Sequence, residues 1–153
     1  TAQNLAADKK ERAVSFVRYG IGISFACSLL FFLWAQCSPQ SMISLFSKDA
    51  EVISAGIPFL KSCSLDYLAV SVLFCMNGYL NGSEKTIVTM LNSCAGALLI
   101  RVPLLFALLH YEVDVLAVYG LVSPLSSIAM IAVICFYMKK RTRSDYKRLQ
   151  LNA

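Results

Sequence analysis

Apolar and polar positions alternate along this chain in long blocks, and the block lengths predict helices that cross a bilayer. Residues 19–37 carry no charge, 52–81 form a longer apolar run with one lysine and one acid, 86–109 carry one arginine, and 115–138 are again free of charge. A helix rises about 1.5 Å per residue and a hydrocarbon core is about 30 Å thick, so each block is long enough to cross once. Ser38-Pro39-Gln40-Ser41 breaks the first run, and the segment 40–47 is too short to cross, so it reads as a short interfacial helix. Tyr19 and Trp34 sit near the two ends of the first run, as interfacial aromatics do. Pro58 falls where the second helix is still near the surface, where a kink costs less than at mid-membrane.

The second run raises the main chemical question, because Asp66 lies inside it. The run closes on Asn81-Gly82-Ser83-Glu84-Lys85, a helix-ending glycine followed by polar residues that lipid cannot accommodate. Counting back from Gly82 puts Asp66 about 24 Å in, inside the far boundary, and Lys61 about 32 Å away, where it can snorkel to water. At 100° per residue, Ser62, Asp66, Asn77 and Asn81 fall within a wedge of about 100°, with Lys61 on roughly the opposite side. This predicts a polar stripe facing protein or a water-filled cavity. Asp66 and Arg101 stand almost equally far from the turn at Ser83-Glu84, so an antiparallel hairpin brings them to similar depth. Two readings of Asp66 follow: a structural ion pair with Arg101, or a group that carries a proton or cation during a transport cycle. Arg101 by itself reads as a snorkelling or tethering residue.

Composition supports the membrane reading. Hydrophobic residues make up 58% of the 153 and charged residues 15%, and mean hydropathy is +0.64, more apolar than a soluble core of this size requires. The six cysteines are scattered through the apolar runs without a C-x-x-C pair, and read as buried packing residues rather than a disulfide or zinc framework. The net charge of +5 is placed as an orientation signal rather than a nucleic-acid surface. Residues 1–18 supply four Lys/Arg, the inner turn Lys85, and the basic tail 139–153 six, against Lys48 alone in the loops of the other side. With four crossings this puts both ends of the segment in the cytoplasm. His110 and the acidic turn Glu112-Val113-Asp114 then lie on the outer side. With one histidine, no phosphate-binding glycine loop, no metalloprotease motif and no base near the apolar-run serines, the sequence argues against an enzyme. The chain opens on Thr1 without a signal-peptide layout, and we read it as part of a longer protein.

Four short motifs carry a family resemblance. Ala2-Gln3-Asn4-Leu5-Ala6-Ala7 through Arg12-Ala13 resembles the A-Q-N-x-G-A-x-x-x-x-R-A loop of MATE (multidrug and toxic compound extrusion) transporters, with Ala6 and Asp8 where that family favours glycine. Leu45-Phe46-Ser47-Lys48-Asp49-Ala50-Glu51-Val52 is similar to their L-F-[ST]-x-D-x-E-V segment, Asn77-Gly78-Tyr79-Leu80-Asn81-Gly82 to their N-G-x-x-x-G helix end, and Arg101-Val102-Pro103-Leu104 to their R-[IV]-P-L. The resemblance implies an all-α integral membrane fold in which these four helices belong to one six-helix bundle of a twelve-helix transporter, partnered by the missing N-terminal helices and the lipid bilayer. It implies export across the plasma membrane of small amphipathic or cationic substrates against Na⁺ or H⁺, with no other cofactor. A lipid-linked glycan flippase of the same superfamily and a non-transporting four-helix scaffold are the alternatives. Some members bind the coupling ion through an acid on this helix, at the position of Val70; Asp66 stands one turn further out.

Overall fold

The computed structural model describes residues 2–7, 9–111 and 115–151, with side-chain surroundings described as far as Lys140, Lys10 excepted. Asp8, the acidic turn Glu112 to Asp114 and the charged side chains of the tail beyond Lys140 lie outside the described residues. All regular structure within them is helical: α1 (Ala2–Ala6), α2 (Lys10–Cys37), α3 (Pro39–Ser44), α4 (Ala50–Cys63), α5 (Leu65–Gly82), α6 (Thr86–Ala95), a π-helical segment Gly96–Arg101, α7 (Val102–His110) and α8 (Leu116–Leu151). Three helical stretches are long and apolar enough to cross a membrane: Glu11–Cys37, Thr86–His110 and Leu116–Lys140. The bent pair α4 and α5 supplies a fourth if it counts as one span.

α2 begins at Lys10, ahead of the apolar run, since Glu11, Arg12 and Arg18 are tolerated in a helix that leads into it from water. Elsewhere sequence boundaries and structural boundaries part company in three places, each for a local reason. The last helix does not stop at 138 but continues into the basic tail, since Lys and Arg are good helix formers and no glycine or proline interrupts them. Inside the third run, Pro103 cannot donate to the carbonyl four residues back. The turn before it widens, and the Val102 N–H bonds to Ala97 O, five residues back, which makes Gly96–Arg101 a π turn. The second run is not one helix over 52–81. It breaks at Ser64, where α4 and α5 meet at 45°.

Polar side chains seal the ends that these breaks expose. Asp49 accepts a hydrogen bond from Glu51 N (2.9 Å) and caps α4. Trp34 Nε1 donates to Ser41 Oγ (2.9 Å), fastening α3 back onto the end of α2. At the inner turn, Gly82 is the last residue of α5, and the left-handed position falls two residues later on Glu84 (φ 60°), so the expected glycine cap is a helix end without left-handed geometry.

α8 packs along α4, α5 and the π segment, while α2 lies against α5 on the other side. The buried core is Leu73 and Leu80 of α5 with Met130 and Ile134 of α8. Two glycines let α8 approach. Gly96 faces Met130, and a Cβ there would meet its Sδ, Cγ and Cε. Gly120 of α8 sits directly on the backbone of α4: a Cβ there would lie 2.6 Å from Phe59 O, 2.9 Å from Ser62 Cβ and 3.1 Å from Cys63 N. The cysteines are free, and only Cys63 and Cys75 are half-buried, the other four being exposed on this chain. The reading of all six as buried packing residues therefore fails: exposed positions of this apolar kind face lipid or other helices.

Candidate functional site

The break at Ser64 is what places Asp66. In an unbroken helix the carbonyl of Lys61 would accept from Leu65 N–H. Here it accepts instead from Ser64 Oγ (2.8 Å) and from Gln36 Nε2 of α2 (2.8 Å), and Gln36 Nε2 also donates to Ser64 Oγ (2.9 Å). Ser64 is completely buried. Tyr67 N then bonds to Ser64 O (3.0 Å) and α5 begins afresh. A new helix N-terminus therefore lies within the protein, and Asp66 occupies its first turn, where free amides and the helix dipole favour a negative charge.

Arg101 reaches the same place from the other side of the hairpin. It ends the π turn, and its Nη2 lies 3.8 Å from Asp66 Oδ2. The same Nη2 donates to Ser127 Oγ of α8 at 3.5 Å, and Ser127 is completely buried. This is a loose contact: a bidentate Arg–carboxylate pair has N···O distances of about 2.7–2.9 Å. Asp66 Oδ1 and Arg101 Nε are buried and, among the described residues, without a hydrogen-bond partner. The Asp66 side chain is 13% exposed and that of Arg101 38%. A tight structural lock would consume both carboxylate oxygens, whereas this geometry leaves one of them able to take a proton or a cation. The π turn that aims Arg101 is itself braced, since Ser126 Oγ donates to Gly96 O (3.2 Å) and Asn92 Nδ2 to Met130 O (3.4 Å).

The remaining residues of the expected polar stripe do not gather around Asp66. Ser62 packs against Gly120 of α8. Asn81 Oδ1 accepts from Thr89 Oγ1 and ties the end of α5 to α6. Asn77 Oδ1 is buried without a partner among the described residues, about three helical turns inward from Asp66. None of the three lines the apolar groove beside α5. That groove, about 460 Å³, runs between α2 and α5 and is lined by Ser24, Ser28 and Phe31 on one wall and by Tyr67, Val70 and Ser71 on the other, with Met42 of α3 at one end. Asp66, Asn77 and Asn81 all lie on α5, and the 45° bend at Ser64 separates only Ser62, on α4, from them.

Gln36, Ser64, Ser126 and Ser127 are the participants that sequence reasoning missed. The signal for Gln36 was present, an amide in the last turn of a run that has no charge. Serines in apolar helices usually bond their own backbone, which hid the three that cross between elements.

No group of three or more His, Cys, Asp or Glu residues arranged to hold a metal ion occurs among the described residues. No curated protein and no solved structure matches the chain. A family model, MatE, does match, over residues 1–107. That span contains α2 to α5, the broken joint, Asp66 and Arg101, and on it the chain belongs to the MatE family of membrane transporters.

Proposed function

We propose that this segment is the C-terminal part of a twelve-helix exporter that moves small amphipathic or cationic compounds across the plasma membrane in exchange for H⁺ or Na⁺, and that Asp66 is the group carrying the coupling ion. The observation that supports this reading is the unpartnered Asp66 Oδ1 beside a cation held at 3.8 Å from the other oxygen. Arg101 then acts as a tethered competitor: when the carboxylate is bare, the guanidinium neutralises it, and when a proton or Na⁺ arrives, Arg101 turns to Ser127. Ionisable groups inside membrane segments are costly, and those retained there commonly serve ion pathways. Discontinuous helices near a binding site are a recurrent device of secondary transporters, which work by moving one bundle against another.

The test is transport by the full-length protein in proteoliposomes. An imposed H⁺ or Na⁺ gradient should drive accumulation of a cationic dye, and the dye should in turn drive ion counterflow. A flippase would instead move a polyprenyl-linked glycan and leave the dye gradient unchanged, and a scaffold would move neither. The orientation that accompanies this function puts residues 1–18, Lys85 and the tail in the cytoplasm. Impermeant thiol labelling of single cysteines introduced at Lys48 and Glu112 should then report the outer face, and at Glu84 and Lys147 the inner face. The reverse pattern would reject the four-crossing arrangement.

A further inference from the structure

Gln36 makes contacts that neither packing nor the ion pair requires. It stands in the last turn of α2, half-buried, and its amide donates two hydrogen bonds to the joint between α4 and α5. The Lys61 carbonyl at that joint has two competing sources of hydrogen bonds. Side chains of Gln36 and Ser64 satisfy it when the helix is broken, and the Leu65 N–H would satisfy it if the helix ran straight. The two arrangements exchange one set of bonds for another, so small differences decide between them. On the outer side of the joint α8 grips α4 through Gly120, at Phe59, Ser62 and Cys63. Loss of the Gln36 contacts therefore leaves the bundle assembled but frees the joint to close.

We propose that Gln36 is a positioning residue for Asp66: its amide clasps Lys61 O and Ser64 Oγ, holds the α4–α5 break open, and thereby keeps Asp66 in the first turn of a helix. If the joint closes, the first-turn amides of α5 are consumed by α4 carbonyls, and Asp66 becomes a mid-helix residue that loses the favourable helix end. The proposal rests on the coupling role of Asp66 for its functional consequence, but not for its structural one.

The experiment uses the full-length transporter with spin labels at Val52 near the outer end of α4 and at Leu116 at the start of α8, both exposed positions. Val52 lies twelve residues from Ser64, an arm of about 18 Å, so complete straightening through 45° would move its tip by about 14 Å. Gln36→Leu should add a second distance component displaced by several ångströms within that limit. Gradient-driven dye efflux should fall about threefold to tenfold in kcat, the range expected from losing one or two net hydrogen bonds, with KM for the dye unchanged. Gln36→Met, which keeps the length without the amide, gives the same reading if Gln36→Leu accumulates poorly. Leu65→Pro supplies the rescue, since it deletes the N–H that competes for Lys61 O and its ring blocks the straight helix. The double variant Gln36→Leu/Leu65→Pro should regain the single distance and most of the turnover. An unchanged distance distribution in both Gln36 variants would overturn the clasp. A displaced distance with full turnover, or a double variant that regains the distance without the turnover, would overturn the positioning role. The distance measurement stands even where Asp66→Asn proves fully active, so failure of the clasp and failure of the coupling role read out separately.

Discussion

Asp66→Asn in the full-length transporter is expected to leave the protein abundant and correctly folded while reducing gradient-driven efflux to the rate of empty vesicles. The size of the ion-pair term decides this. Removing one partner from a tight, fully buried pair costs about 3–5 kcal/mol, enough to deplete the folded protein. The contact here is 3.8 Å, it is not bidentate, and the Arg101 side chain is 38% exposed on this chain. A loose contact of this kind contributes less than a short bidentate pair, and Arg101 keeps Ser127 as a hydrogen-bond acceptor. Its long stem also lets the guanidinium reach towards the outer interface. The carboxylate is therefore expendable for folding, and its loss should appear in ion coupling. Exchanging the residues, Asp66→Arg with Arg101→Asp, is a second discriminator. It would restore a merely structural pair but should not restore efflux, because the acid then leaves the first turn of α5. Recovery of transport by the exchange would favour the structural pair.

The largest effect on stability is expected at Gly120. Gly120→Ala sets a methyl group 2.6 Å from a backbone carbonyl and 3.1 Å from a backbone nitrogen of α4. Neither atom can move without shifting the helix. Overpacking of this kind costs about 1–3 kcal/mol, and backbone contacts put it at the upper end. Gly96→Ala meets only the Met130 thioether, a flexible chain that can change rotamer. Full-length Gly120→Ala should therefore show a markedly lower Tm in detergent than Gly96→Ala, which should stay near the parent. Equal losses at the two positions would mean that the approach of α8 to α4 is not as close as described. Since Phe59, Ser62 and Cys63 flank the joint, residual Gly120→Ala protein should also transport poorly.

What could be read from the sequence follows a physical division. Apolar length and proline placement are written into composition, so the helical membrane class and the hairpin that brings Asp66 level with Arg101 were legible in the chain. Motif resemblance alone pointed to the family that the model match then showed. The break at Ser64 was not legible, because the segment has no glycine or proline at that point and Pro58 lies six residues earlier. The bend is held by a side chain from another helix, Gln36. Such tertiary causes leave no local pattern. The same bend separates Ser62, on α4, from Asp66, Asn77 and Asn81 on α5. The π turn was half legible: Pro103 announced a fault in the ladder, but whether the fault becomes a kink or a widened turn depends on Ser126 being there to take the Gly96 carbonyl.

The coupling role of Asp66 is tested most directly by ion release on substrate binding. Purified full-length protein, loaded with H⁺ or Na⁺ in weakly buffered detergent solution, is mixed with a saturating cationic substrate while free proton or sodium is followed. The parent protein should release the coupling ion as substrate binds, and Asp66→Asn should bind the same substrate with no release. Undiminished ion release from a folded Asp66→Asn protein would contradict the role given to that carboxylate.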